Sequence, residues 1–297
     1  MILFSSSDLA GKLNLSNSAL HYIASDSFPG YTEFEVTKSG GGARQISAPV
    51  PKLRWVQRWI LDNILSGIEL RDCATAYVEG KSILDNAFPH SGAKIVVNLD
   101  LKSFFPSISF RRVMGVYLQI GYVYPVAVVL AKLSCHQGKL PQGAPTSPAI
   151  SNLVCRRLDS RLLGLAGSMG FEYTRYADDI AFSGDRRPEG LVYAAKRIIK
   201  EEGFVLAKHK THIVRRGQSQ RVTGLVVNNK VNVPRHYYRR IRAIIHNCQR
   251  FGVESQNRDD LPFFKEHLYG HAHFIHSINP KLGERLLDQL KQVNWNS

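Results

Sequence analysis

Apolar residues recur at helical spacing from Leu53 to Leu65, where Trp55, Val56, Trp59, Ile60 and Ile64 predict an amphipathic helix. Ile95-Val96-Val97-Asn98-Leu99 is instead an unbroken β-branched run closed by Asp100, the pattern of a buried strand. Ile150, Val154, Leu158 and Leu162 step by four after Pro148, so a helix is expected there. Phe171–Tyr176 and Ile180–Phe182 bracket Asp178-Asp179 as a hairpin with acidic residues at its bend. Val192–Ile199 reads as helix and Arg221–Val227 as a strand, and from Pro234 onward the pattern is helical to the end. Ser39-Gly40-Gly41-Gly42 falls between Val36 and Ile46 and predicts a hairpin tip. No repeat interrupts this order, and the class it predicts is α+β, a helix-supported sheet followed by a basic helical tail.

Composition narrows the partner. With 44% hydrophobic residues, the 297-residue chain is no disordered basic tail and has enough length for one large or two modest cores. Lys and Arg exceed Asp and Glu by 39 − 24 = +15, which makes a polyanion, nucleic acid ahead of a membrane surface, the expected partner. The longest apolar stretch, Ile120–Leu133, is broken by Gly121 and Pro125 and falls short of the roughly 18 residues a membrane span needs. The opening Met1-Ile2-Leu3-Phe4 carries no basic leader, and Cys73, Cys135, Cys155 and Cys248 are too scattered for a disulfide framework or a zinc knuckle. A soluble, cytoplasmic protein without a membrane partner is the expectation.

Three carboxylates carry the candidate chemistry. Asp100 ends a buried strand and Asp178-Asp179 occupy a strand-turn-strand, so the sheet can bring them together around hard cations, which prefer oxygen ligands. Nucleotidyl transfer uses such an arrangement, with two ions roughly 4 Å apart serving the attacking hydroxyl and the pyrophosphate leaving group. An Asp-Asp pair is also the composition of an ordinary solvated turn, and Asp259-Asp260 beside Arg258 and Pro262 reads as one. Asp178-Asp179 differ in being flanked closely by apolar β-formers, where unpaired acids are costly.

At this point the sequence resembles a known family. Tyr176-Ala177-Asp178-Asp179 matches the YxDD box of reverse transcriptases, Asn98-Leu99-Asp100-Leu101-Lys102-Ser103-Phe104-Phe105-Pro106-Ser107-Ile108 looks like their first palm motif, and Leu140–Pro148 resembles their PQG-x-x-x-SP motif. Asn86-Ala87-Phe88-Pro89-His90 and Val222-Thr223-Gly224 resemble the NAxxH and VTG signatures of the bacterial retron subfamily. The similarity runs from about Lys38 to the Ile278-Asn279-Pro280 segment.

The resemblance implies a right-hand polymerase, with fingers at 1–94 and 111–145, a palm at 95–110 and 146–228 made of an antiparallel sheet with helices on one face, and a helical thumb at 229–297. Asp100, Asp178 and Asp179, helped by the Leu101 carbonyl, would hold two Mg²⁺; Lys210, in a run with Lys208 and His209, would protonate pyrophosphate. Lys38 and Arg44 would grip the triphosphate through charge-assisted bonds. Phe105 would exclude a ribose 2′-hydroxyl, Gln142 would contact the incoming nucleotide, and Thr223, Gly224 and Leu225 would form the primer grip. Asn86 and His90 would serve RNA recognition or structural specificity. The implied activity is RNA-directed DNA synthesis from dNTPs on a structured noncoding RNA, primed from an RNA 2′-hydroxyl to give a branched RNA–DNA, in an antiphage system with a separate effector protein. The roughly seventy residues after Leu225 suit a thumb but not a ribonuclease domain as well, which would leave template removal to a host nuclease. A group II intron-like or diversity-generating reverse transcriptase, and a non-catalytic RNA-binding protein, are the competing readings.

Two features stand apart from the motifs. His267, His271, His273 and His276 have partly helical spacing, but without cysteines or an HExxH pattern they suit RNA contacts or helix packing better than zinc. On a helix, Arg235, Arg239, Arg242, His246 and Arg250 share one face while Tyr237, Ile241, Ile244, Ile245 and Cys248 share the other. No acid interrupts the stretch, so the basic stripe is expected to track an RNA or hybrid backbone.

Overall fold

The β-branched run Ile95–Asp100 becomes an inner strand of the main sheet. A computed structural model describes residues 5–37, 41–207 and 210–295. Two short helices, α1 (Ser6–Lys12) and α2 (Asn17–Ile23), lead into the hairpin β1 (Tyr31–Thr37) and β2 (Ala43–Pro49), paired in antiparallel register from Tyr31↔Pro49 to Thr37↔Ala43. Pro51 then starts α3 (Pro51–Ile60), whose last turn widens into a π-helical turn over Leu61–Leu65. Periodicity placed Trp55 on the apolar face, but it is half exposed; Leu53, Val56, Gln57 and Ile60 are the residues buried.

After α4 (Ile83–Ala87) and a 3-10 turn at Phe88–His90 comes β3 (Ile95–Asp100). The helices α5 (Phe110–Ile120), α6 (Tyr124–Ser134), α7 (Ser147–Val154) and α8 (Arg156–Met169) follow, then the hairpin β4 (Phe171–Tyr176) and β5 (Asp179–Gly184). The helix expected after Pro148 is thus two helices, interrupted at Cys155. α9 (Glu189–Glu201) and β6 (His212–Arg215) complete a four-stranded sheet of order β4-β5-β3-β6, antiparallel at every pairing.

Both faces of this sheet are covered. Alternation along the strands sends Val97, Leu99, Ile180 and Phe182 into the larger core, with Leu158, Leu162, Leu191 and Ala195 from α8 and α9. It sends Val96 and Ala181 to the opposite face, into a second core with Ala87 and the C-terminal part of the chain. Helices on one face alone were expected; α4 and the turn after it cover the other.

The stretch expected as one strand, Arg221–Val227, is a tight hairpin, β7 (Arg221–Val222) and β8 (Leu225–Val226). It turns at Thr223 and Gly224, both at positive φ. Three helices finish the chain as the pattern predicts: α10 (Arg235–Phe251), α11 (Phe264–Ile278) and α12 (Pro280–Lys291). Ile241, Ile245, Leu268, Ile275, Leu286 and Leu290 bury against one another in the second core. Gly283 lets α12 fold back closely on α11, because a Cβ there would lie 2.2 Å from the His276 Cα. Among the described residues no helix is long and apolar enough to cross a membrane, and all four cysteines are free thiols.

Candidate active site

Antiparallel pairing brings the acids together. Asp100 ends β3 directly opposite Asp179, the first residue of β5, and Asp178 occupies the two-residue turn between β4 and β5. The turn is tight because Ala177 adopts the left-handed region, φ +56, at its first position. Leu101 N–H donates to the Asp178 carbonyl (3.0 Å), and Ala207 N–H donates to the Asp100 carbonyl (2.9 Å), so backbone bonds hold the cluster from both sides. Asp100 is 7% exposed, whereas Asp179 lies at the exposed rim.

Three carboxylates this close repel one another. Although Asp179 is open to solvent on one side, protein crowded around its carboxyl, then the neighbouring Asp178 and Asp100 charges, push it up to about 6. Asp178 is raised for the same reasons, burial before Asp100, with Lys210 and Arg44 working against the rise. Lys210 Nζ donates to Asp100 Oδ2 at 2.7 Å, and that bond raises the lysine's pKa. Among the described residues, no group of three His, Cys, Asp or Glu side chains is arranged as it stands to hold a metal ion. Oxygen-only donors whose proton affinity is raised by mutual repulsion nevertheless suit a hard divalent cation, and Lys210 shows that the site already takes a positive charge.

The remaining expected residues are spread over several elements. Phe105 is half-buried at the start of a 3-10 turn and packs against Phe104 (5.3 Å between ring centroids) and Tyr77 (6.3 Å). Gln142 accepts a bond from Ser47 N–H at 2.9 Å, which ties its loop to β2. Gly143 permits that approach, since its φ is +130 and a Cβ would stand 2.8 Å from the Ser47 carbonyl oxygen. Arg44 is exposed on β2, and its charge reaches Asp178. Lys38, like Lys208 and His209, lies outside the described residues. Thr223 and Gly224 form the β7–β8 turn, with Thr223 Oγ1 donating to the Ile83 carbonyl (3.2 Å), while the Leu225 side chain is 2% exposed and belongs to the core.

Two expectations need correction. His90 is fully buried, its ring nitrogens bonded to Ser183 Oγ (2.7 Å) and Thr174 Oγ1 (2.8 Å). Burial lowers its pKa to about 4, so the ring is neutral. Asn86 is 1% exposed and accepts from Thr75 Oγ1 at 2.8 Å. Neither side chain presents a surface to RNA; His90 pins the 83–90 segment to β4 and β5, and Asn86 pins it to Thr75. On α10, Arg235, Arg239, Arg242, His246 and Arg250 are exposed, Ile241, Ile245 and Cys248 are buried, and Tyr237 and Ile244 are half-buried. Asp259 and Asp260 form an exposed turn.

Sequence reasoning missed the frame beneath the acids. Arg175 on β4 is fully buried and grips Asp159 of α8 bidentately, Nε to Oδ1 and Nη2 to Oδ2, both 2.7 Å. Its Nη1 donates to the Ala177 carbonyl and to Asn152 Oδ1, each at 3.1 Å. Arg175 at an inward position of a strand pattern was the available signal, because a buried arginine needs a buried acid.

Residues 36–232 match the family described as reverse transcriptase (RNA-dependent DNA polymerase). The chain is 39% identical to the retron Mx65 reverse transcriptase of Myxococcus xanthus, covering 88% of this chain and 64% of that one. It is 38% identical to the retron Mx162 reverse transcriptase of the same organism, over 96% and 66% of the two chains. It is 37% identical to the retron Ec86 reverse transcriptase of Escherichia coli, over 89% and 81%. The chain therefore spans about two thirds of the length of the two Myxococcus relatives.

Proposed function

The chain belongs to the reverse transcriptase family, among the retron enzymes, and from that premise we propose that it is an RNA-directed DNA polymerase copying a structured noncoding RNA. The observation that carries this reading is the cross-strand pair Asp100↔Asp179 with Asp178 in the adjoining turn. Asp100, Asp178, Asp179 and the Leu101 carbonyl would hold two Mg²⁺. Bound there, the ions would activate the primer hydroxyl and stabilise the departing pyrophosphate.

This chain's residues do the rest. Arg44, with Lys38, neutralises the dNTP triphosphate, and Gln142, on a loop fixed to β2, orients the nucleotide against its template base. Phe105 fills the space a 2′-hydroxyl would need. Lys210 sits on Asp100, where its ammonium can turn to the pyrophosphate and give up a proton. The Thr223-Gly224-Leu225 hairpin supports the primer strand.

Residues 1–94 and 111–145 act as fingers, 95–110 and 146–228 as palm, and 229–297 as thumb; the packing of α10, α11 and α12 on one another supports that last division. The exposed basic face of α10 tracks the RNA or hybrid backbone. Changing Arg235, Arg239 and Arg242 together to Gln lowers the salt dependence of binding by about two phosphate contacts, read as the slope of log affinity against log salt. The resemblance further supports priming from a 2′-hydroxyl of the cognate RNA, a branched RNA–DNA product, a cytoplasmic location and a separate effector protein in antiphage defence.

The test is Mg²⁺-dependent dNTP incorporation on a primed RNA template, with sequencing of the nucleic acid that copurifies. Incorporation and DNA covalently joined to one noncoding RNA are the expected results. Tight RNA binding without incorporation makes the protein a non-catalytic binder.

A further inference from the structure

Tyr77 has no part in the assignments above, yet it stands at the mouth of the same cleft. Its backbone adopts φ +59, a conformation a bulky L residue holds only where its surroundings enforce it. The ring is 51% exposed, so burial in a core does not account for the strain. The flanking backbone is fixed tightly. Arg175 N–H donates to the Cys73 carbonyl (2.7 Å), Thr75 N–H to the Arg175 carbonyl (3.0 Å), and Asn152 Nδ2 to the Ala76 carbonyl (2.8 Å). Asn152 and the Ala177 carbonyl are both held by Arg175 Nη1. Tyr77 and the carboxylate turn thus hang from one buried frame.

The ring points toward the chemistry. Its centroid lies 6.3 Å from that of Phe105, with the two planes tilted by 48°. Partial burial raises the phenol's pKa, and the charges that act on it are those of Asp178, Tyr176 and Arg44. An apolar ring amid charged groups, exposed and conformationally strained, gains most from a flat apolar partner such as a deoxyribose face or a base edge.

We propose that Tyr77 is a substrate-positioning residue whose ring continues the wall begun by Phe105 and bears on the nascent base pair. This rests on the polymerase reading. Phe105 guards the sugar, and Tyr77 extends the same surface toward the catalytic turn, so the pair together fix the nucleotide before reaction. Because one guanidinium holds both Tyr77's segment and the turn, the distance between wall and carboxylates stays constant.

Steady-state extension on a primed RNA template tests it. Tyr77→Ala and Tyr77→Gly raise KM for the correct deoxynucleotide about tenfold, the loss of one aromatic contact, with kcat changed less than about threefold. Tyr77→Phe keeps the ring and stays within about twofold of the unsubstituted protein. Glycine accepts the positive φ without strain, so the folded, ringless protein is obtainable even where alanine costs stability. A complex with a dideoxy-terminated primer cannot react, and there the deoxynucleotide Kd shifts by the same factor as KM.

An unchanged KM and Kd in folded Tyr77→Gly overturns the inference. So does a loss confined to kcat, or a Tyr77→Phe defect as large as that of glycine. An unsubstituted chain that neither incorporates nor binds deoxynucleotide overturns the polymerase reading, and this inference falls with it.

Discussion

Two acid clusters lie within one strand's reach of each other and are built on opposite principles. Asp159 is 2% exposed and fully satisfied, with Arg175 on both oxygens and Tyr173 Oη donating to Oδ1 at 2.8 Å. Among the described residues Asp100, Asp178 and Asp179 share one hydrogen-bonded ammonium, that of Lys210 on Asp100, and Asp178 and Asp179 have raised pKa values. The first cluster is closed and leaves no valence for a ligand. The second is open, and its repulsion is relieved only by protons or cations. A buried ion pair lends rigidity, while an unneutralised one stores affinity for what is missing; the protein stacks the second upon the first.

The largest test of this contrast is Asp178→Asn. It keeps volume, removes one of the three carboxylate charges and is expected to cut DNA synthesis about a thousandfold, several kcal/mol of transition-state stabilisation. The melting temperature stays level or rises, because like-charge repulsion is relieved. A destabilised protein with retained synthesis breaks the contrast outright.

Arg175→Met does the reverse. It strands Asp159 in the interior and costs about 3–5 kcal/mol in denaturant unfolding. Adding Asp159→Leu recovers part of the loss, since both charges are then gone. A third change removes a packed ring beside the open site: Phe105→Ala is expected to raise ribonucleotide use relative to deoxynucleotide by about tenfold, read from competing incorporation, and to cost some stability because the ring packs on Phe104.

The smallest effect is in pH. Asp179 has a folded pKa of about 6 against an ordinary 3.8. Between those values the folded state holds a proton the unfolded state has lost, so its contribution to stability declines as pH rises toward 6. Metal-free Asp179→Asn is expected to melt about 2 °C higher than the unsubstituted protein above pH 6, and at the same temperature near pH 4. A gain that is equal at both pH values removes repulsion as the cause.

The open cluster was legible in the sequence because its signals are local. Asp178 and Asp179 sit between short β-forming runs, and Asp100 ends a β-branched one, so pattern alone puts each at a strand end. Of the closed cluster only the Arg175 end was legible, through its inward position on a strand. Arg175 and Asp159 lie on different elements, and nothing in the spacing of α8 announces that Asp159 faces inward. His90 shows the same limit: its partners Thr174 and Ser183 are hydroxyls more than eighty residues away. An isolated histidine gives no sign that two distant hydroxyls will meet its ring. The β7–β8 hairpin escaped because Thr223 is an unusual residue for positive φ, and a Val-Thr-Gly-Leu run reads as one strand.

The position of β3 has a consequence for the order in which the molecule assembles. Its partners, β5 and β6, follow it by many tens of residues, and Asp100 meets Lys210 only across that span. Such distant pairings close large loops before any contact repays them, which slows folding. As the chain leaves the ribosome, Asp100 emerges long before anything that can complete its site. The central strand must wait, shielded on one side only by the helices that follow it, until β4 and β5 arrive. Val96 waits longer still, since the core that covers it includes side chains from the last helices. Completion of the carboxylate cluster is therefore a late event in the life of each chain, and no N-terminal fragment ending before Lys210 possesses all of it.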